Sequence, residues 1–196
     1  PSPRADARRL LQGRGQYVDD VTLPRMVHAA FMRSPHAHAA ILSIDVDDAR
    51  AMPGVIAVYT GADLAKHVTP YVGVLSHLAG LRSAEQYPLA VGVARWQGEP
   101  VVMVIATSRA LAEDAVEVVF VDYEERPAVV DSETALDADT PVMHPEFDSN
   151  LAWERDVVAG DIDAAFADPG VQVVERKFVF GRHTGVTLET RGTVCN

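Results

Sequence analysis

A mixed α/β fold of the α+β class is predicted by three observations. Short runs of strand character at 27–33, 40–46, 55–59 and 118–123 are interleaved with brief helical stretches. The apolar run from Val101 to Ala106 leads directly into Ser108 and a helical pattern. The last forty residues are again extended in character, with little to suggest a long helix.

Taken in chain order, an irregular arm from Pro1 to Pro24 comes first. Val27 to Arg33 and Ala40 to Val46 then read as strands separated by Ser34-Pro35, which suggests a hairpin-like pair. Asp47 to Ala51 reads as a short helix stopped by Pro53-Gly54, and with Val55 to Tyr59 after it completes a small β-α-β unit. From Gly61 to Pro88 the mixture of Gly, Pro, His and Ser predicts a long functional or interface loop, with one helical turn near 62–66.

Val93 to Trp96, a Gln97-Gly98-Glu99-Pro100 turn and Val101 to Ala106 form the strongest structural signal. A strand without polar residues has to be covered on both faces, so 101–106 is expected at the centre of a sheet with helices packed on it. Ser108 is placed to cap the helix behind it, whose narrow apolar face is Leu111, Ala112, Ala115 and Val116. Val118 to Tyr123 is the next strand and 128–130 a short edge. A small, acidic stretch from Asp131 to Thr140 predicts a domain boundary. Beyond it, strands are expected at 150–158, 171–180 and 186–195, with an Asp161-capped helix through Phe166 and a turn at Asp168-Pro169-Gly170.

Composition narrows the function. The 196 residues carry 17 basic and 28 acidic side chains, for a formal net charge of -11, which disfavours nucleic acid and anionic membrane surfaces as partners. The longest apolar run is far short of the roughly 20 residues that span a bilayer, so no membrane span is expected. One cysteine, Cys195, rules out an internal disulfide and any Cys-built zinc or iron–sulfur site within the chain. The absence of a secretory h-region points to the cytoplasm.

Local motifs alone assign no chemistry. His36 and His38 have the i, i+2 spacing that would put two imidazoles on one strand face, with His28 or Asp45 as a conceivable third ligand. Following Ser34-Pro35, they are better read as turn residues that bond to backbone or meet a partner. Gly13-Arg14-Gly15 lacks the preceding strand and the third glycine of a dinucleotide loop. Glu189, in the neutral stretch Val186-Thr187-Leu188-Glu189-Thr190, would face solvent, pair with Arg191 or Arg182, or serve as an acid/base group; His183 poses a similar choice. Trp96 and Trp153 read as core or interface residues.

Several ordered motifs nevertheless carry a resemblance. They are Gly13-Arg14-Gly15-Gln16-Tyr17-Val18-Asp19-Asp20, Met26-Val27-His28-Ala29-Ala30, Arg33-Ser34-Pro35-His36-Ala37-His38-Ala39 and Pro53-Gly54-Val55-Ile56-Ala57-Val58-Tyr59-Thr60-Gly61. Gly98-Glu99-Pro100-Val101, Ala112-Glu113-Asp114-Ala115 and Val121-Asp122-Tyr123-Glu124 continue the series. Together they resemble the start of the molybdopterin-binding large subunit of the molybdenum hydroxylases: xanthine dehydrogenase, aldehyde oxidase and carbon monoxide dehydrogenase.

The resemblance implies an N-terminal arm at 1–19, an a/b hammerhead domain at 20–130, a linker at 131–149 and the truncated start of the molybdopterin-binding domain at 150–196. It implies an oxidoreductase that hydroxylates an aldehyde or N-heterocycle with water-derived oxygen, or oxidises carbon monoxide, passing electrons through iron–sulfur clusters to flavin. The complete subunit would hold a molybdopterin-type molybdenum cofactor. The 2Fe-2S clusters and FAD would belong to an iron–sulfur subunit and a FAD subunit, in a dimer of heterotrimers. The family's cofactor loop and catalytic glutamate lie further along the polypeptide, so no catalytic, cofactor-binding or metal-binding residue is expected in this chain, which should be structural and inactive alone. His36, His38, Gly98 and Glu99 are the candidate subunit or domain contacts; His183, Glu189 and Arg191 are expected near the cofactor domain. Two alternatives stand beside this reading: a free-standing hammerhead binding or assembly module, and a small metal enzyme built on His36 and His38.

Overall fold

The computed structural model describes residues 6–75, 77–181, 183–187 and 189–195. Arg182 and Leu188, singled out in the sequence, lie outside the described residues. Two units are distinguished, one made of Val27–Asp156 and the other of Pro1–Met26 with Val157–Asn196.

The larger unit contains two three-stranded sheets. In the first, β5 (Pro100–Ala106) is central and pairs antiparallel with β1 (His28–Arg33) and β3 (Val55–Thr60). In the second, β2 (Ala39–Asp45) lies between β4 (Val93–Ala94) and β6 (Phe120–Glu125), again antiparallel. The expected hairpin of β1 with β2 and the β-α-β unit of β2 with β3 are therefore both corrected. Both depended on sequence neighbours sharing a sheet. The chain instead changes sheet at Ser34-Pro35, because β5 is apolar along its whole length and has a strand on each side.

The burial pattern follows the two-residue period of a strand. Val102, Val104 and Ala106 are fully buried on one face of β5, while on the other Val101 is buried and Met103 and Ile105 keep partial exposure. Burial on both faces, as expected from composition, is thus complete on one face only. The helix packed against β5 is α4 (Arg109–Glu117), whose Ala112 and Ala115 are fully buried. Its first turn is capped as predicted: the Ser108 hydroxyl accepts the Leu111 N–H at 3.3 Å. Helix α2 (Asp47–Ala51) packs on β3 and adds Ala49 to the core, beside Val46, Val58, Val101 and Val121. A single turn, α3 (Gly61–Leu64), follows β3, as the sequence predicts. Strand β6 begins at Phe120 because α4 continues to Glu117 and Val118 caps it, with the Val119 N–H donating to Val116 O at 3.2 Å.

The smaller unit departs further from expectation. The arm is not irregular: α1 (Ala7–Leu11) occupies part of it and a 3-10 turn spans Val18–Asp20. Gly13-Arg14-Gly15 has a plain explanation there, since the N–H groups of Gly13 and Arg14 bond to the carbonyls of Leu10 and Arg9 and close α1. The short helix is confirmed as α5 (Ile162–Ala167), with Asp161 Oδ1 accepting the Ala164 N–H at 2.9 Å. By contrast, 128–130 and most of 150–158 in the larger unit, and 171–180 and the described part of 186–195 in the smaller, are not strands. Alternating side chains meet only half the requirement for a strand. The other half is a neighbouring ladder for the backbone, and these runs have none among the described residues.

Candidate interface at the seam of the two sheets

Three of the four candidate contact residues converge where the two sheets meet. Ser34 follows β1 directly, and its N–H donates to Glu99 O at 2.8 Å, while Ser34 O accepts the Gly98 N–H at 2.8 Å. Arg33 Nη1 donates to Gly98 O at 2.9 Å. Gly98 has φ 90°, a left-handed conformation that would strain other residues, so glycine is what lets the 95–99 turn meet Ser34 from this side.

Glu99 is the unusual group. The residue is only 6% exposed, and its Oε2 accepts the Arg95 N–H at 2.5 Å, so the carboxylate closes its own loop. Burial pushes its pKa up, while the N–H groups of Arg95 and Trp96 and the positive charge of Arg95 oppose the shift. The Tyr123 hydroxyl, contributed by β6, is also buried and forms no hydrogen bond of normal geometry. Burial raises its pKa as well, and the charge of Glu99 adds to the rise against a lowering influence from Ser34. Ser34 Oγ donates to His36 O at 3.0 Å and accepts the His36 N–H at 3.1 Å, which holds the turn after β1.

Both histidines sit in that turn, outside any strand. The His36 and Tyr123 rings meet in a T-shaped arrangement, with centroids 5.1 Å apart. His38 Nδ1 lies 2.7 Å from Pro127 O, and His38 O accepts the Arg126 N–H at 2.9 Å. A carbonyl can only accept, so Nδ1 carries the proton in this pair. Among the described residues, no three His, Cys, Asp or Glu side chains come together as a metal site. Ser34, Tyr123 and Arg95 are members of this cluster that sequence reasoning did not select. In the sequence Ser34 read as a strand break within a motif, and Tyr123 as a strand end within another, with nothing to bring the two together.

The remaining candidates lie in the smaller unit. Glu189 Oε1 accepts the Val18 N–H at 2.9 Å, which ties the Gly13–Asp20 motif to the closing segment. A cleft of about 140 Å³ there is lined by Tyr17, Val18, Asp19, Asp20, Glu189 and Thr190. His183 Nδ1 is 3.2 Å from Gly181 O, and Arg191 is exposed. No helix among the described residues is long and apolar enough to cross a membrane.

This arrangement of two small antiparallel sheets corresponds to a known domain. Residues 12–127 match the family described as aldehyde oxidase and xanthine dehydrogenase, a/b hammerhead domain. The chain belongs to that family. Its hammerhead domain has relatives among the large subunits of molybdenum hydroxylases. The nicotine 6-hydroxylase large subunit of Paenarthrobacter nicotinovorans is 37% identical over 196 residues, covering 99% of this chain and 23% of that protein. The carbon monoxide dehydrogenase large chain of Afipia carboxidovorans is 40% identical over 148 residues, or 76% of this chain and 18% of that one. Among solved structures, quinoline 2-oxidoreductase from Pseudomonas putida 86 superposes with a TM-score of 0.70 at 44% identity, over 76% of this chain and 19% of that chain. The hammerhead chain thus spans less than a quarter of the length of these relatives.

Proposed function

We propose that this hammerhead chain is the N-terminal part of a molybdopterin-binding large subunit, in an enzyme that hydroxylates an aldehyde or N-heterocycle with oxygen from water, or oxidises carbon monoxide. Electrons would pass to iron–sulfur clusters and FAD on partner subunits in the cytoplasm, within a dimer of heterotrimers. The observation that carries this reading is the similarity to a large subunit along 99% of the chain. No chemical step is assigned to this chain, because the resemblance puts the family's cofactor loop and catalytic glutamate further along the polypeptide. The role of the chain is architectural, and alone it is inactive.

Within that role, His36, His38, Gly98 and Glu99 shape the contact surface more than they form it. Their polar groups are largely engaged within the fold, whereas Trp96 (42% exposed) and Gln97 project from the 95–99 turn, near exposed Arg33 at the end of β1, which bonds to Gly98 O. An exposed aromatic beside an arginine is the kind of pair that anchors a protein partner. Glu189 positions the N-terminal arm, and His183 and Arg191 lie near the cofactor domain.

Purification of the native polypeptide from its source, with intact mass and assays for molybdenum, iron and flavin, tests this function. A longer chain carrying all three in one complex is the expected result. A native 21.2 kDa product free of them overturns it and favours the binding module. In the complex, Trp96→Ala should weaken association with the iron–sulfur subunit, and unchanged assembly would remove the seam from the interface.

A further inference from the structure

The family reading makes 131–149 a linker and gives the long loop after α3 no specific partner, yet the two meet on one side chain. The loop is closed at its base by a reciprocal pair of backbone hydrogen bonds between Tyr71 and Gln86, each 2.8 Å, and braced by the Gly73 N–H on Ser83 Oγ at 3.1 Å. Arg82 stands beside that base. Its N–H donates to Ala152 O at 2.9 Å, its Nε to Leu151 O at 3.0 Å and its Nη2 to Ser149 Oγ at 2.8 Å. Nη1 pairs with the Asp148 carboxylate, and the guanidinium lies over the Phe147 ring, 5.3 Å from its centroid. A second tie is Trp153 Nε1, which donates to Ala79 O at 3.2 Å.

The received segment is itself organised. Asn150 Nδ2 donates to Ala135 O at 2.9 Å and Pro141 O at 3.0 Å, and its Oδ1 accepts the Met143 N–H at 2.9 Å. One amide therefore gathers residues 135–150 into a closed loop whose exit, 147–153, lies along Arg82.

We propose that Arg82 is a docking socket that makes residues 131–156 a strap fastened to the 65–92 loop, and that this loop exists to receive it. A guanidinium suits the task because its planar fork serves a carboxylate, a hydroxyl and a backbone carbonyl at once while its face stacks on an aromatic ring. An ammonium offers charge without that geometry. The strap is a local opening unit: it can detach while the two sheets remain folded, since it contributes no strand to either.

Hydrogen–deuterium exchange on the full chain, comparing wild type with Arg82→Met and Arg82→Lys, tests the strap. Amides in 141–156 should exchange roughly tenfold faster or more in Arg82→Met, with those of β5 and α4 unchanged. Arg82→Lys should restore only a minor part of the protection. Wild-type exchange in 141–156 at the rate of an unstructured peptide, or unaltered exchange there in Arg82→Met, overturns the proposal. If Arg82→Met loses protection throughout the molecule, Arg82→Lys decides: loss confined to 141–156 supports the strap, and no loss refutes it.

Discussion

The unit Val27–Asp156 and the unit formed by the two chain ends use the same vocabulary to different effect. Each has valine-rich extended runs and a short helix with a side-chain N-cap. In the first, Val101, Val102 and Val104 are wholly buried between paired strands and a helix. In the second, Val174 is 75% exposed and Phe180 88%, and neither lies in a strand. The apolar pattern is comparable, but backbone pairing differs. Hydrophobic alternation becomes a buried face only where a neighbouring strand satisfies the backbone and a third element covers the side chains.

Paired substitutions can break or sharpen this contrast. The largest effect is expected for Val104→Asp, which places a carboxylate in the fully buried face of β5 and should cost about 4 kcal/mol or more, read as loss of the cooperative urea transition. Next is Gly61→Ala. An added Cβ would stand 2.0 Å from Ala90 O, so the backbone must move, at a cost of about 1–3 kcal/mol in the same transition.

Glu99 probes the seam between the sheets. Glu99→Ala leaves the Arg95 N–H without its acceptor and should cost about 1–3 kcal/mol. Its pH dependence has a definite sign. Because burial raises the folded-state pKa, the stability linked to this group is complete below the unfolded carboxylate range, about pH 4.3, and is lost as pH rises through the higher folded value. Glu99→Gln should therefore flatten the decline in thermal midpoint on the alkaline side of that range. An unchanged pH profile in Glu99→Gln would show that the carboxylate is not the titrating group.

The two helix caps give the smallest and most direct comparison. Ser108→Ala should lower global stability by about 1 kcal/mol, because α4 is packed on the central strand. Asp161→Ala removes the same kind of bond from α5, which has no buried residue. It should melt α5 locally, seen as faster amide exchange at 164–167, and leave the main unfolding midpoint within about 0.5 kcal/mol of wild type.

What was legible in the sequence follows from these physical requirements. The central position of 101–106, the Ser108 and Asp161 caps and the single turn after Tyr59 are all local signals, and each is present. Which strands pair is a non-local matter. The separation of β1 from β2 and the missing ladders at 171–180 could not be read from period alone, since alternation says which face is apolar and not where its partner lies. The seam was half legible. Motif resemblance selected Gly98 and Glu99, but Tyr123 and Ser34 join them only once two sheets meet, and Arg82 gave no signal beyond being one arginine in a mixed loop.

The central position of β5 also sets an order of events during synthesis. Neither β1 nor β3 has a sheet partner until residues 100–106 have been made, and β2 waits longer still for β6. At 5–20 residues per second, the ribosome takes roughly 2–9 s to travel from Thr60 to Ala106. Throughout that interval β1 and β3 are without a sheet partner, and β2 gains only the two-residue β4. The demand for chaperone protection is thus concentrated in the first half of the chain and ends when its most hydrophobic strand emerges.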